Sequence, residues 1–233
     1  MALYDVITFD CYGTLIDWES GIVSAFESVA RNAGVRLERA HILSAYARIE
    51  PVIEQKAYRP YREVLAETAA QVAQSLGWRL FPSEALFLAE SLPDWPPFPD
   101  TNGALTRLKS AGCRLGILSN VDDDLLAATR RHFDVEFDLL VTAQQVRSYK
   151  PAPNHFLRAR ERIGGHRWLH AAQSSFHDIR PTTSLGIDNA WINRNGDRPV
   201  PGASPSREFT NLTLLADWVC GADANGSAAD HAG

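Results

Sequence analysis

The alternation of short apolar runs with helix-like stretches is the feature that most constrains how this chain folds. From about residue 99 onward, helical patterns such as PDTNGALTRLKSAG (99–112) separate the runs. Strands that alternate with helices predict βαβ units on a parallel sheet, and therefore an α/β fold. The predicted strands are DVITFD (5–10), RLGILSN (114–120), FDLLVTA (137–143), RWLHAAQ (167–173) and NAWINR (189–194).

Residues 18–92 have a different pattern, with three amphipathic helical stretches and no convincing strand. They predict a helical domain inserted after the first strand, and the proline-rich segment 93–100 leads back to the sheet. The predicted core is therefore discontinuous, with residues 1–17 and 93–222. Small and polar residues dominate 223–233, which we expect to be a disordered tail.

Composition excludes several classes of partner. The net charge of −5, without a basic stripe, argues against nucleic acid. No uncharged apolar run approaches the ~20 residues that a membrane-spanning helix needs. Three cysteines in 233 residues, far apart, indicate neither a disulfide framework nor a zinc site. With no signal-peptide pattern at the N-terminus, we expect a cytoplasmic protein.

Polar side chains follow the predicted strands at the points where the strands end. They are Asp10 after the first, Ser119 and Asn120 after the second, Lys150 past the third, and Ser175, His177 and Asp178 after the fourth. Taken singly, each has a structural explanation, such as a turn, a helix cap or a solvated lysine. Ligands of open parallel sheets bind outside the carboxyl ends of the strands. The set together therefore predicts one functional site at this edge.

These residue types suit nucleophilic chemistry. A carboxylate such as Asp10 is ionised at neutral pH, and we expect a nearby cation to lower its pKa further. An ionised carboxylate can act as a covalent nucleophile. Lys150 would hold the charge of the nucleophile or of the leaving group, and Ser119 and Asn120 would bind a substrate oxyanion. Asp178 would position a water for a second step.

The same residues resemble the haloacid dehalogenase superfamily. DCYGTL (10–15), LSN (118–120), KP (150–151) and QSSFHD (173–178) are similar to its four motifs, in order, and WINR (191–194) is similar to a stretch of one branch. The start of the chain most resembles the type II (S)-2-haloacid dehalogenases. This resemblance implies a Rossmann-like core under a helical cap. It also implies displacement of halide by Asp10, followed by hydrolysis of the aspartyl ester to a 2-hydroxy acid.

The resemblance also assigns further residues to the site. It implies catalytic roles for Thr14 and Ser175, and contacts between substrate and Cys11 and Tyr12. In phosphatase relatives, the position of Tyr12 is an aspartate that protonates the leaving group. A second aspartate of those relatives occupies the position of Ser174. Halide is a very weak base and leaves without a proton. We therefore expect Tyr12 to offer apolar surface beside the carbon–halogen bond, and we expect no metal and no cofactor.

Three positions depart from the family pattern. Arg48, the predicted ligand of the substrate carboxylate, is offset by one residue, with Arg59 and Arg62 as alternatives. Phe156 replaces a tyrosine and is expected to pack against the substrate. His177 replaces a tryptophan, and three roles stay open for it: donor to the halide, activator of water, or neutral support.

The expected partner is a small halogenated carboxylate, with fluoroacetate among the candidates and a different electrophile also open. A homodimer is expected by analogy. Two alternatives to dehalogenation stay open at this point. One is a phosphohydrolase of the same superfamily, and the other is a binding protein that kept the fold without catalysis.

Overall fold

A parallel sheet of six strands forms the centre of the protein in the computed structural model, which describes residues 2–81 and 84–221. The order across the sheet is β3-β2-β1-β4-β5-β6, so that β1 lies in the middle. The α/β prediction and the five predicted strands are confirmed, and β6 is additional. The strands are β1 (Val6–Phe9), β2 (Arg114–Ser119), β3 (Leu139–Thr142), β4 (Trp168–Ala172), β5 (Asp188–Ile192) and β6 (Arg207–Phe209).

The sheet is buried on both faces, which explains why its strands are continuous apolar runs. On one face, Phe156 and Ile163 pack against Val6, Leu118 and Val141. On the other, leucines of α5 and α10 belong to the larger apolar cluster. The helices that follow the core strands are α5 (Thr101–Ser110), α6 (Asp123–Thr129), α7 (Ala143–Val146), α8 (Asn154–Ile163), α9 (Arg180–Ser184) and α10 (Leu212–Val219).

Between β1 and α5 the chain forms a helical layer above the sheet. The helices are α1 (Trp18–Asn32), α2 (Arg39–Glu54), α3 (Tyr61–Ser75) and α4 (Phe87–Ser91), and the described part of 18–92 contains no strand. Asp17 caps α1 by accepting a hydrogen bond from the Ser20 backbone. Phe26 of α1 packs edge-on against Phe87 of α4. Their apolar residues join the cluster that covers the sheet.

The strand register brings the chemically important ends together. Phe9, the last residue of β1, pairs with Ile117 of β2 on one side and with Ala171 of β4 on the other. The residues that follow β1, β2 and β4 therefore emerge at one edge of the sheet, at the point where the strand order reverses. This edge lies under the helical layer.

Two further predictions concern membrane-spanning helices and the C-terminal tail. Among the residues that the structure describes, no helix is both long and apolar enough to cross a membrane. The predicted disordered tail at 223–233 lies outside the described residues.

Gly21 provides a test of how α1 packs on the linker. A Cβ at this helical position would lie 2.2 Å from the ring of Trp95, whereas a Cβ at Gly103 in α5 would meet nothing within 4 Å. We expect Gly21→Ala to lower the free energy of unfolding by about 1–3 kcal/mol through overpacking. The matched Gly103→Ala should raise it by about 0.5–1 kcal/mol because glycine is a poor helix former.

Urea denaturation of the two variants and the wild type would measure both changes. Equal effects at the two positions would contradict the packing of α1 against Trp95.

Candidate active site

A cavity of about 250 Å³ lies between the helical layer and the carboxyl edge of the sheet. Its floor comes from the ends of β1, β2 and β4, and its roof comes largely from α2. Several predicted residues line it: Asp10, Tyr12, Ser119, Asn120, Lys150, His177 and Asp178. The structure thus brings together residues that are far apart in the sequence.

Lys150 is the centre of the floor. Its Nζ lies 2.8 Å from Asp10 Oδ1 and 2.6 Å from Asp178 Oδ1, and it also donates to the Leu118 carbonyl at 2.9 Å. The side chain is almost fully buried. Burial lowers the pKa of Lys150, but the charges of Asp10 and Asp178 outweigh this and raise the pKa above its ordinary value. The ammonium is therefore permanently charged.

Asp10 is held by a second donor as well. Thr14 Oγ1 donates to Asp10 Oδ2 at 3.0 Å and accepts from the Gln173 backbone amide at 2.9 Å. Burial raises the pKa of Asp10, against the effect of Lys150, and the negative charge of Asp178 raises it further. The expectation of a lowered pKa is therefore wrong, because it considered the neighbouring cation and neglected burial and the second carboxylate.

Asp178 is fixed by a chain of hydrogen bonds under the floor. His170 Nε2 lies 3.0 Å from Asp178 Oδ1, and His170 Nδ1 lies 2.8 Å from Thr8 Oγ1. The ionised Asp178 can only accept, so a ring hydrogen of His170 lies on Nε2, and Thr8 Oγ1 accepts from the Trp168 indole at 2.8 Å. Burial opposes ionisation, but Lys150 and His170 together lower the pKa of Asp178 to about 2.

The two residues that end β2 have different roles. Ser119 Oγ is buried at the cavity and has no hydrogen-bond partner among the described residues. Asn120 binds both backbone polar groups of Lys150: Oδ1 accepts from the amide at 2.7 Å and Nδ2 donates to the carbonyl at 3.1 Å. Asn120 therefore fixes the lysine segment, and Ser119 keeps a free hydroxyl for a ligand.

Tyr12 contributes apolar surface to the cavity. Its hydroxyl lies 2.9 Å from Thr129 Oγ1, and its ring packs edge-on against Trp95 at 5.9 Å between centroids. Burial raises the pKa of Tyr12 well above that of an exposed tyrosine. The phenol stays neutral, with its hydroxyl engaged by Thr129.

Besides Thr14, which supports Asp10 from outside the cavity, four predicted substrate or catalytic residues do not line it. Cys11 and Phe156 are fully buried, and Phe156 packs edge-on against His170. Ser175 Oγ accepts from the Val200 amide at 3.3 Å. Arg48 is exposed on α2. The structure therefore does not support direct contact between the substrate and these four side chains.

The alternative arginines are also engaged elsewhere. Arg59 pairs with Glu67 on the next helix. Arg62 binds Asp122 and, at 2.5 Å, Asp124. Among the residues that the structure describes, no arginine lines the cavity. The guanidinium expected to bind the substrate carboxylate is therefore absent from the cavity lining formed by the described residues.

His177 lines the cavity beside the roof. Its Nδ1 lies 3.1 Å from Ser174 Oγ, and its Nε2 lies 3.8 Å from Glu54 Oε2. Burial lowers the pKa of His177 to about 4, so the ring is neutral near neutral pH. The neutral ring disfavours one of its three open roles, donation to the halide from a charged imidazolium.

Sequence reasoning missed the residues of the roof. Glu50 and Glu54 of α2 both face the cavity, together with an aromatic wall of Trp18, Tyr46, Tyr61 and Trp95. Tyr46, Glu50 and Glu54 are spaced by four residues and share one face of the helix, which was the available signal. His170, under the floor, was hidden because it lies within an apolar strand.

Asp10 and Asp178 are the two carboxylates that the floor of this site could offer to a metal. Asp10 and Asp178 both direct an oxygen at Lys150, so a cation would compete with an ammonium. The phosphatase position of a further acid is Ser174. The described residues contain no group of three or more acidic, cysteine or histidine side chains arranged to hold a metal.

The chain is similar to several known proteins along most of its length. The chain is 29% identical over 221 residues to (S)-2-haloacid dehalogenase H-109 of Pseudomonas putida, covering 91% of this chain and 96% of that one. It is 29% identical over 202 residues to haloacetate dehalogenase H-2 of a Moraxella species, covering 84% and 88%.

Among solved structures, it superposes on an L-2-haloacid dehalogenase from Xanthobacter autotrophicus with chloropropionic acid covalently bound. The TM-score is 0.81 at 20% identity, and the match covers 97% of this chain and all of that one. At this identity the likeness establishes the fold. The sequence model of the haloacid dehalogenase-like hydrolase family matches residues 4–172, and the chain belongs to that family.

Proposed function

We propose that this protein hydrolyses the carbon–halogen bond of short 2-haloacids, with Asp10 as the nucleophile, and releases a 2-hydroxy acid and halide. The observation that carries the proposal is the setting of Asp10. It faces a cavity with an aromatic wall while Lys150 and Thr14 bind its two oxygens. The similarity to two curated dehalogenases supports the same reaction.

In the first step, a carboxylate oxygen of Asp10 attacks C2 of the substrate. The new oxygen–carbon bond replaces the carbon–halogen bond, and the halide leaves with the bonding electrons. No proton is transferred, which fits a site where Tyr12 and Ser174 stand in place of carboxylic acids. The ring of Tyr12 and the aromatic wall exclude water from the reacting carbon.

In the second step, water attacks the carbonyl carbon of the aspartyl ester and the bond from that carbon to the ester oxygen breaks. A proton from the water passes to the departing alkoxide, which leaves as the 2-hydroxy acid and restores the Asp10 carboxylate. Lys150 and Thr14 donate to the two oxygens of Asp10, so they are placed to stabilise the oxyanion of this step. Asp178 Oδ2 is buried and has no partner among the described residues, which leaves it available to orient the water. Its pKa of about 2 makes it a positioning group and a weak base.

We also propose a cytoplasmic location, since Cys11, Cys113 and Cys220 are all unpaired, as is usual in a reducing compartment. The homodimer stays a prediction by analogy.

The nucleophile can be tested by labelling. In a single turnover of 2-chloropropionate in ¹⁸O water, we expect one labelled oxygen in Asp10 and an unlabelled hydroxyl in the product. Asp10→Asn should lower halide release by on the order of 1,000-fold or more. The exposed Asp134→Asn serves as the control with unchanged activity. Label in the product alone would show direct attack by water and contradict the mechanism.

The acid limit of activity tests the setting of Asp10. Because its pKa is raised, the nucleophile should lose its charge on acidification above the ordinary aspartate value of ~3.9. Thr14→Ala removes a donor to the ionised carboxylate and should move this limit to higher pH, whereas Thr14→Ser should keep it near the wild-type position. Profiles of kcat against pH would measure the shift, and an identical limit in Thr14→Ala would refute the role of Thr14.

Metal independence gives a third test and separates the phosphohydrolase alternative. After treatment with a chelator, halide release should be the same with and without added Mg²⁺. Hydrolysis of p-nitrophenyl phosphate should stay at background under both conditions. Strong dependence on Mg²⁺, or a phosphatase rate above the dehalogenase rate, would overturn the proposal.

A further inference from the structure

A buried carboxylate that the proposed reaction does not use joins the helical layer to the sheet beside the cavity. Asp122 follows β2, three residues after Ser119, and is almost fully buried. Its two oxygens accept from the backbone amides of Tyr61 at 2.8 Å and Arg62 at 3.1 Å. These amides are the first two of α3, so a residue of the core caps a helix of the layer.

Helix α3 depends on this carboxylate for its first hydrogen bonds. The first amides of a helix have no carbonyl partner inside the helix, and Pro60, the residue before α3, has no side-chain oxygen to accept from them. Asp122 takes the place of such a local cap, and Arg62 Nε adds a contact to it at 3.3 Å. If the layer moved away from the sheet, the carboxylate and both amides would lose these partners together.

A second core residue holds the stretch of chain just before α3. The Tyr149 hydroxyl donates to the Arg59 carbonyl at 2.8 Å, and the Tyr149 ring packs against the rings of Tyr58 and Tyr61. Tyr149 directly precedes Lys150 of the floor. The start of α3 is therefore held by two loops of the core, and both loops also carry residues of the floor.

Tyr61 carries this connection into the cavity. Its side chain lines the cavity, and its hydroxyl donates to Glu50 at 3.1 Å and lies 3.4 Å from the Tyr46 hydroxyl. Both of these partners belong to α2, which forms most of the roof. Asp122 does not line the cavity itself, but it binds the backbone of a residue that holds the roof in place.

A second carboxylate at this boundary provides a contrast. Arg62 binds both Asp122 and Asp124, but the Asp122 side chain is 3% exposed and that of Asp124 is 67% exposed. An exposed ion pair contributes little, whereas buried amides that lose their acceptor are costly. The contact that matters for closing the layer is therefore the one at Asp122.

We propose that Asp122 is a positioning residue that holds the helical layer closed over the cavity, through the first turn of α3, and thereby sets how tightly a substrate binds. This inference rests on the proposed dehalogenation of 2-haloacids. The cavity lies between the layer and the sheet, so both must be in place to surround a substrate. A ligand that needs the closed form binds more weakly when that form is less populated.

The kinetic constants test this role. Asp122→Ala should raise KM for 2-chloropropionate on the order of tenfold, because the closed form would leave two buried amides without their acceptor. The value of kcat should stay within about twofold, since saturating substrate restores the closed form over an unchanged floor. Asp122→Asn keeps one oxygen that can cap α3, so its KM should be intermediate. Asp124→Asn should keep the wild-type KM.

Hydrogen exchange followed by NMR measures the contact itself. In the wild type, the Tyr61 and Arg62 amides should exchange slowly, and a saturating concentration of the product 2-hydroxypropionate should slow them further. In Asp122→Ala, these two amides should exchange about tenfold faster or more, while amides in the middle of α3 change less. Unfolding of the layer would instead accelerate exchange along the whole helix.

Three results would overturn the proposal: an unchanged KM in Asp122→Ala, a loss of kcat as large as the rise in KM, or rapid exchange of the Tyr61 and Arg62 amides in the wild type. If Asp122→Ala does not fold, Asp122→Asn and the wild-type exchange rates still test it. A protein that releases no halide from any 2-haloacid would refute the proposed function, whereas the exchange rates would still report on the contact.

Discussion

The ammonium of Lys150, buried between two carboxylates, is the interaction on which the rest of the site depends. Removing such a charge from water costs several kcal/mol, and only close partners offset that cost. Asp10 supplies one from the end of β1 and Asp178 supplies the other from the helical turn Ser175–Ile179 that follows β4. Asn120 fixes the lysine backbone from the end of β2. Loss of either carboxylate would therefore affect the neighbouring strands as well as the chemistry.

Hydrogen bonds beneath this centre make the surroundings of Asp178 different from those of Asp10. The hydrogen-bonded series Trp168–Thr8–His170 reaches Asp178, whereas at Asp10 a shorter series runs from the Gln173 amide through Thr14. Asp178 is thus held as a permanent anion, while Asp10 keeps a higher pKa and faces the cavity. Two aspartates on one lysine acquire different roles because their surroundings differ.

The alternation of strands and helices was sufficient to predict the sheet, and the rule for strand ends was sufficient to predict the floor of the site. The roof was not predictable by the same means. The family pattern points to Arg48, but it lies two residues before Glu50, about 200° around the helix, on the exposed side. Only the packing of α2 fixes which face is inward. The environment of Asp10 was also beyond the sequence, since burial depends on the assembled fold.

The aromatic wall sets the chemical character of Glu50 and Glu54 in the roof. Trp18, Tyr46 and Trp95 keep the roof in an environment where an ionised carboxylate is poorly solvated. Burial raises the pKa of Glu50 to about 7, and burial with the charge of Glu50 raises the pKa of Glu54 well above its ordinary value. The floor and the roof therefore differ: Lys150 keeps its charge because two carboxylates hold it, whereas the charge of the roof depends on pH.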